Sequence, residues 1–102
     1  MATIIFQGFN DKDNMMILNG SKRRVLSSQN IIPEINNERG LIKFTIGESP
    51  VGAKYQAKTI KMIMDEFVND SQRGFLQLAY KNRRNMIDEF TETILNDEVL
   101  EF

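Results

Sequence analysis

Residues 41–68 have the sequence LIKFTIGESPVGAKYQAKTIKMIMDEFV, and the spacing of their apolar residues changes partway along it. From position 42 to position 46 apolar and polar residues alternate, as in a strand with one buried face. From position 53 onward the apolar residues recur every three or four positions, which is typical of one helix face. The members of this stripe are Ala53, Ala57, Ile60, Ile63, Met64, Phe67 and Val68. We therefore expect a strand over residues 41–46 followed closely by an amphipathic helix.

The expected helix has a start signal at Ser49 and Pro50. Serine is a favoured N-cap residue, and proline suits the first helical position because the N–H it lacks would have no partner there. These two residues predict a helix that begins at residue 50. Lys54, Lys58 and Lys61 lie mostly off the apolar stripe, so we expect them on the exposed side.

The residues before this region suggest strands and turns. Residues 3–9 are rich in β-branched and aromatic residues, and a turn-forming cluster follows them at 10–14. Residues 15–18 are apolar and end at Asn19-Gly20, a dipeptide that favours a tight hairpin turn. We therefore expect a second strand, with residues 23–27 forming the return strand.

Two further features complete the expected sheet. Residues 31–35 are extended in character and contain Pro33, which cannot donate a ladder hydrogen bond and so suits an edge strand or a connection. Residues 36–40 form another turn cluster ahead of the strand at 41–46.

The helical half continues after a predicted reversal at residues 69–74, with a second helical stretch that ends at about Leu95. Residues 81–85 interrupt its apolar stripe. The stripe consists of Leu76, Ala79, Tyr80, Met86, Ile87, Phe90 and Ile94.

Charge is sorted along this second stretch. The four charged residues from Arg73 to Arg84 are basic, and the six from Asp88 to Glu101 are acidic. This order opposes the dipole of one continuous helix. A break near residues 82–85, with Asn85 capping a new helix, would remove the conflict. A continuous helix would instead be complementary to an antiparallel copy, which favours a symmetric homodimer.

These patterns predict one α+β domain spanning residues 1–102: a small antiparallel β-sheet from the β-rich residues 3–46, packed against a helical hairpin formed by residues 50–95. A short acidic and apolar segment, residues 96–102, follows. The chain length of 102 residues suits a single core.

Composition restricts the chemistry. The chain has no cysteine and no histidine, which removes thiolate nucleophiles and the commonest general base and metal ligand. We expect no enzyme activity, no cofactor and no metal site. The formal net charge of −1 predicts no general affinity for nucleic acid, and no apolar run is long enough to span a membrane. A cytoplasmic location is expected.

Short motifs in the chain have ordinary structural explanations. Residues 47–54 resemble a phosphate-binding loop, but such a loop needs lysine directly after its second glycine and then Ser or Thr, whereas here Ala53 intervenes before Lys54 and Tyr55 follows. Residues 11–16 resemble the start of a calcium loop, but Met15 and Met16 stand where an oxygen ligand and a glycine belong. The adjacent carboxylates Asp65-Glu66 and Asp88-Glu89 are expected on solvated helix faces.

Two groups of residues remain as candidate contacts. The residues expected to contact nucleic acid or another anion are Lys22, Arg23, Arg24, Lys81, Arg83 and Arg84. The residues expected to contact a protein partner are Tyr80, Val99, Leu100 and Phe102, because the C-terminal segment resembles a docking peptide that lies in a groove or adds to a sheet edge. Fraying of a terminal helix is the alternative explanation of that segment.

The expected function is a small non-enzymatic protein-interaction or regulatory module, with a homodimer as one form of it. Ten asparagines and twelve isoleucines suggest low-GC coding, as in accessory proteins of phages or mobile elements. The alternative is a small nucleic-acid-binding regulator that uses the local basic clusters.

Overall fold

The computed structural model describes residues 1–7, 18, 20–36, 38–70 and 85–102. For residues 67–70 it describes the backbone alone. The elements, in chain order, are β1 (Ala2–Gln7), α1 (Ser21–Ser28), β2 (Ile31–Asn36), β3 (Leu41–Ile46), α2 (Ala53–Asp70), α3 (Met86–Leu95) and β4 (Val99–Glu101). The expected α+β fold, with a sheet packed against helices, is confirmed.

The described strands form one sheet in the order β2-β3-β1-β4. β3 pairs antiparallel with both β1 and β2. β4 pairs parallel with β1, with Leu100 opposite Ile4. The sheet is therefore mixed, where an antiparallel sheet from residues 3–46 was expected, because a strand that follows α3 joins its edge.

One face of the sheet carries the core. Alternate residues of β1 and β3 are fully buried on this face, as the alternating sequence predicts. The buried side chains of these strands are Ala2, Ile4, Phe6, Ile42, Phe44 and Ile46. The helices supply the opposing layer through Leu26, Ala57, Ile60, Ile63, Met64, Met86 and Phe90. The predicted stripe of α2 is confirmed at each of these α2 positions.

Pro33 lies on an edge strand, as expected. The N–H of Gly47 donates to the carbonyl of Asn30 at 3.0 Å, which fixes the register of hydrogen bonds between β2 and β3. In an antiparallel pair, successive residues direct their N–H and C=O groups alternately toward and away from the neighbouring strand. Ile31, Pro33 and Ile35 therefore direct theirs away from β3. Proline at the middle of that outer side removes one donor that another strand could use.

The expected hairpin and return strand at residues 23–27 are wrong, because these residues lie in α1. Gly20, whose φ is 67°, precedes the first turn of α1 and does not lead into a strand. Leu26 is the buried residue of α1, and α1 packs against β2. Residues 8–17 and 19, which include the first three residues of the expected second strand, lie outside the described residues; its last residue, Leu18, is buried and lies in a turn.

The helix α2 begins at Ala53, three residues later than the expected start. The oxygen atoms of Ser49 accept hydrogen bonds from Val51 N–H and Gly52 N–H at 3.4 and 3.1 Å, so Ser49 closes a turn that precedes the helix. Gly52 has a φ of 83°, which is incompatible with a helix continuing through it. The helix then extends to Asp70, beyond the residue where the reversal was expected to begin.

The backbone at Asn85 settles how α3 begins. Asn85 adopts a left-handed conformation, with φ 58° and ψ 41°, so no helix continues through it into Met86. Asp88 and Glu89 lie in the first turn of α3, where the helix dipole favours acids. Of the two alternatives, a continuous helix through this point is therefore wrong, and α3 begins after Asn85, although the Asn85 side chain makes no capping hydrogen bond. No helix among the described residues is both long enough and apolar enough to cross a bilayer.

Candidate functional site

A buried polar junction fixes α1 against α2. Gln56, which is 1% exposed, donates through Nε2 to the carbonyl oxygens of Gln29 and Gly47 at 2.7 and 2.8 Å. The hydroxyl of Thr59 donates to Oε1 of Gln29 at 2.8 Å. Asn30 adds a bond from Nδ2 to the carbonyl of Glu48 at 3.0 Å. Because the polar side chains of this junction are hydrogen-bonded within the protein, the junction acts as a structural clamp between α1 and α2.

Two contacts fix the direction in which α1 runs along α2. Lys22, at the start of α1, forms an ion pair with Glu66 near the end of α2. Gln29, just after α1, bonds Thr59 in the first half of α2. The two helices therefore run side by side in opposite directions.

The outward side of this helix pair exposes apolar and basic residues together. On α1, Val25 is 40% exposed; on α2, Tyr55 and Met62 are 56% and 55% exposed. Val25 lies between the two contacts on α1, as Met62 does on α2. Tyr55, Lys58 and Met62 follow helical spacing and share one face. We call the following residues the basic surface: Arg24, Val25, Lys54, Tyr55, Lys58 and Met62.

A second surface of opposite charge lies on α3 and the turn after it. Asp88, Glu92 and Leu95 follow helical spacing on the exposed side of α3, and Leu95 is 70% exposed. Asp97 and Glu98 follow in the turn after α3 and are exposed as well. We call the following residues the acidic surface: Asp88, Glu92, Leu95, Asp97 and Glu98.

The expected anion-contact residues fall into two groups. Arg23 and Arg24 are exposed on α1, and Lys22 beside them is engaged with Glu66. Lys81, Arg83 and Arg84 lie outside the described residues, as does Tyr80 of the expected partner contacts. The structure therefore gives no distance between the two basic clusters.

The C-terminal segment occupies the edge of the protein's own sheet. Leu100 packs against the core, and the ring of Phe102 stacks on that of Phe6, with centroids 4.9 Å apart and planes 3° apart. The N–H of Phe102 donates to the carbonyl of Ile5 at 2.9 Å. Leu100 and Phe102 are thus engaged inside the molecule, and Val99 is the exposed member of the three expected contacts in this segment.

The adjacent carboxylates Asp65 and Glu66 have separate partners. Asp65 accepts from Lys61 one turn earlier at 2.8 Å, and Glu66 pairs with Lys22, so the two carboxylates engage different lysines. Within the described ranges, no three His, Cys, Asp or Glu side chains converge as metal ligands would.

A groove of about 830 Å³ lies between the β3–α2 connection and the end of α3. Its lining includes the apolar residues Ile46, Ala53 and Ile94. The acidic residues Glu48 and Asp97 also line it. The loop that resembles a phosphate-binding motif forms one wall. Because the Gly47 and Glu48 backbone groups of that loop already bond Asn30 and Gln56, the loop serves the structure of the junction.

Sequence reasoning found the lysines of α2 but missed Val25, Tyr55 and Met62 as surface residues. The spacing of Tyr55 and Met62, seven residues apart and off the buried stripe, was a usable signal. Val25 had no such signal, because its position depends on α1, which was expected to be a strand. No protein-family model, curated protein or solved structure matches this chain.

Proposed function

We propose that this chain is a non-enzymatic protein-interaction module whose basic surface binds an acidic segment of a protein partner. The observation that carries the proposal is the grouping of exposed Val25, Tyr55 and Met62 with Lys54 and Lys58 on one side of the helix pair. Apolar anchors surrounded by charge are the usual composition of a binding surface.

The charges on this side support an acidic partner. Residues 21–28 and 53–66 carry six basic and two acidic side chains. Both acids are already engaged, Asp65 with Lys61 and Glu66 with Lys22. Arg24, Lys54 and Lys58 make no ion pair with the part of the chain that the structure describes.

Site-specific photo-cross-linking tests the proposal. A photoreactive phenylalanine analogue at Met62 reports on the basic surface, and the same group at Ile32, which is exposed on the outer face of the sheet, is the matched control. We expect position 62 to cross-link a partner that position 32 does not. The partner is then identified, purified and titrated against the protein.

Charge reversal gives the decisive titration. Lys54→Glu combined with Lys58→Glu should weaken binding by about tenfold, because each exposed charge pair contributes about 0.2–1 kcal/mol and reversal adds repulsion. Arg39→Glu, in the β2–β3 turn, should leave affinity within about twofold. Equal cross-linking at both positions, or unchanged affinity of the double variant, would contradict the proposal.

A nucleic-acid-binding regulator is the second candidate, favoured by the exposed ring of Tyr55 between Lys54 and Lys58. An aromatic ring among cations can stack an unpaired base. The test is titration with a single-stranded oligonucleotide at low and high salt, for the wild type and for Tyr55→Ala. A salt-sensitive affinity that Tyr55→Ala reduces would support this candidate, and no binding at low salt would remove it.

A further inference from the structure

We infer that copies of this chain associate head to tail, with the acidic surface of one copy bound to the basic surface of the next. The inference rests on the proposed function, since it takes the basic surface as a site for acidic protein segments and names one occupant of it. The partner is a second copy of the same chain.

The two surfaces lie on different sides of the helical layer. The sheet order is β2-β3-β1-β4; α1 packs over β2 at one end, and α3 packs against β1 and β4 at the other. α2 contacts both helices, α3 by direct packing and α1 through the polar junction. The basic surface therefore belongs to the α1 side of the layer and the acidic surface to the α3 side.

Charge complementarity identifies the occupant. Residues 85–102 carry six acidic and no basic side chains, whereas α1 and α2 carry the excess of basic residues given above. Each surface also has apolar contact area, supplied by Leu95 on the acidic surface and by Tyr55 and Met62 on the basic one. Opposite charges around apolar patches are what two mutually complementary surfaces require.

The arrangement also determines the symmetry of the contact. A two-fold dimer needs one patch that complements itself, but here the complementary patches are on different sides of the molecule. Such a contact is heterologous, so association continues into rings or chains. The symmetric dimer expected from the sequence required one continuous helix through residue 85, and Asn85 has a left-handed backbone that no α-helix passes through.

Sedimentation velocity at low salt over a range of concentrations tests this inference with the wild type, two surface variants and one control. One variant, Lys54→Glu with Lys58→Glu, reverses the basic surface. The other, Glu92→Gln with Leu95→Ser, weakens the acidic surface without adding a positive charge that the first variant could bind. All four positions are exposed, so both variants should fold as the wild type does.

We expect the wild-type mass to rise with concentration past that of a dimer, and to fall as salt is added. Each variant alone should weaken self-association at least about tenfold. An equimolar mixture should form one-to-one pairs and nothing larger, because it retains one intact contact. Arg39→Glu, the charge-change control, should behave as the wild type.

A wild-type protein that stays monomeric at every concentration would overturn the inference, as would a mixture that forms no pairs. These failures are distinct from failure of the proposed function. If position 62 still cross-links another protein while the wild type is monomeric, the basic surface serves a different partner and self-association alone is wrong.

Discussion

Replacing Gln56 by leucine should cost the fold about 3 kcal/mol. The side chain is 1% exposed and its Nε2 group donates to two backbone carbonyls, those of Gln29 and Gly47. Leucine is close to glutamine in size, so little cavity forms and the loss comes from the two hydrogen bonds. Each bond contributes about 1 kcal/mol net, and a buried carbonyl left without a donor adds about 1 kcal/mol or more.

Urea unfolding followed by far-ultraviolet circular dichroism measures this loss. With a slope of about 1.5 kcal/mol/M, the unfolding midpoint should fall by about 2 M, and thermal unfolding should shift downward by about 15 °C. Thr59→Val, which removes the single bond to Gln29 Oε1, should cost about 1 kcal/mol. Lys58→Met, on the exposed side of the same helix, is the matched control and should change stability by less than about 0.5 kcal/mol. A loss below 0.5 kcal/mol for the Gln56 variant would refute the clamp role of the junction.

Three further predictions concern backbone positions and the C-terminal strand. Gly47→Ala should lower the free energy of unfolding by about 1 kcal/mol in chemical denaturation, because a Cβ there would clash with Nδ2 of Asn30 and displace the hydrogen bond from Asn30 to Glu48. The same substitution in an Asn30→Gly background should cost less. Phe102→Ala should cost about 2 kcal/mol and reduce the near-ultraviolet aromatic signal, because this half-buried ring stacks on Phe6; an unaltered midpoint would show that the segment is not docked. Asn85→Ala should lower the free energy of unfolding by about 1 kcal/mol whereas Asn85→Gly should not, since glycine adopts the left-handed conformation without strain; equal losses for both would contradict this.

Strong periodicity explains which elements could be predicted. β3 and α2 each have several apolar residues at one consistent spacing, so their faces follow directly from the sequence. The edge position of β2 followed from Pro33, whose missing N–H restricts where it can sit in a sheet. Charge order raised the start of a new helix after Asn85 as one of two alternatives, because acids suit the first turn of a helix, but it did not exclude one continuous helix.

The missed elements lack such local information. The α1 sequence SKRRVLSS buries only Leu26, so it has no periodic stripe, and the Asn19-Gly20 pair before it favoured a hairpin. β4 has three residues, and three alternating residues look the same in a strand, a docking peptide or a frayed end. Of the basic surface, the lysines of α2 could be anticipated from their spacing. The placement of Val25 beside Met62 could not, because it depends on how α1 runs along α2.

The parallel pairing of β4 with β1 has a consequence for the order of folding. The β2–β3 pair joins neighbouring segments through a short turn, so its loop-closure entropy is small. The β1–β4 pair instead joins Thr3 to Val99. Nearly all of the intervening chain must lose conformational entropy before this contact can form and stabilise the fold. We therefore expect β4 to dock after the rate-limiting step of folding. Substitutions at Phe102 should accelerate unfolding and leave the refolding rate nearly unchanged.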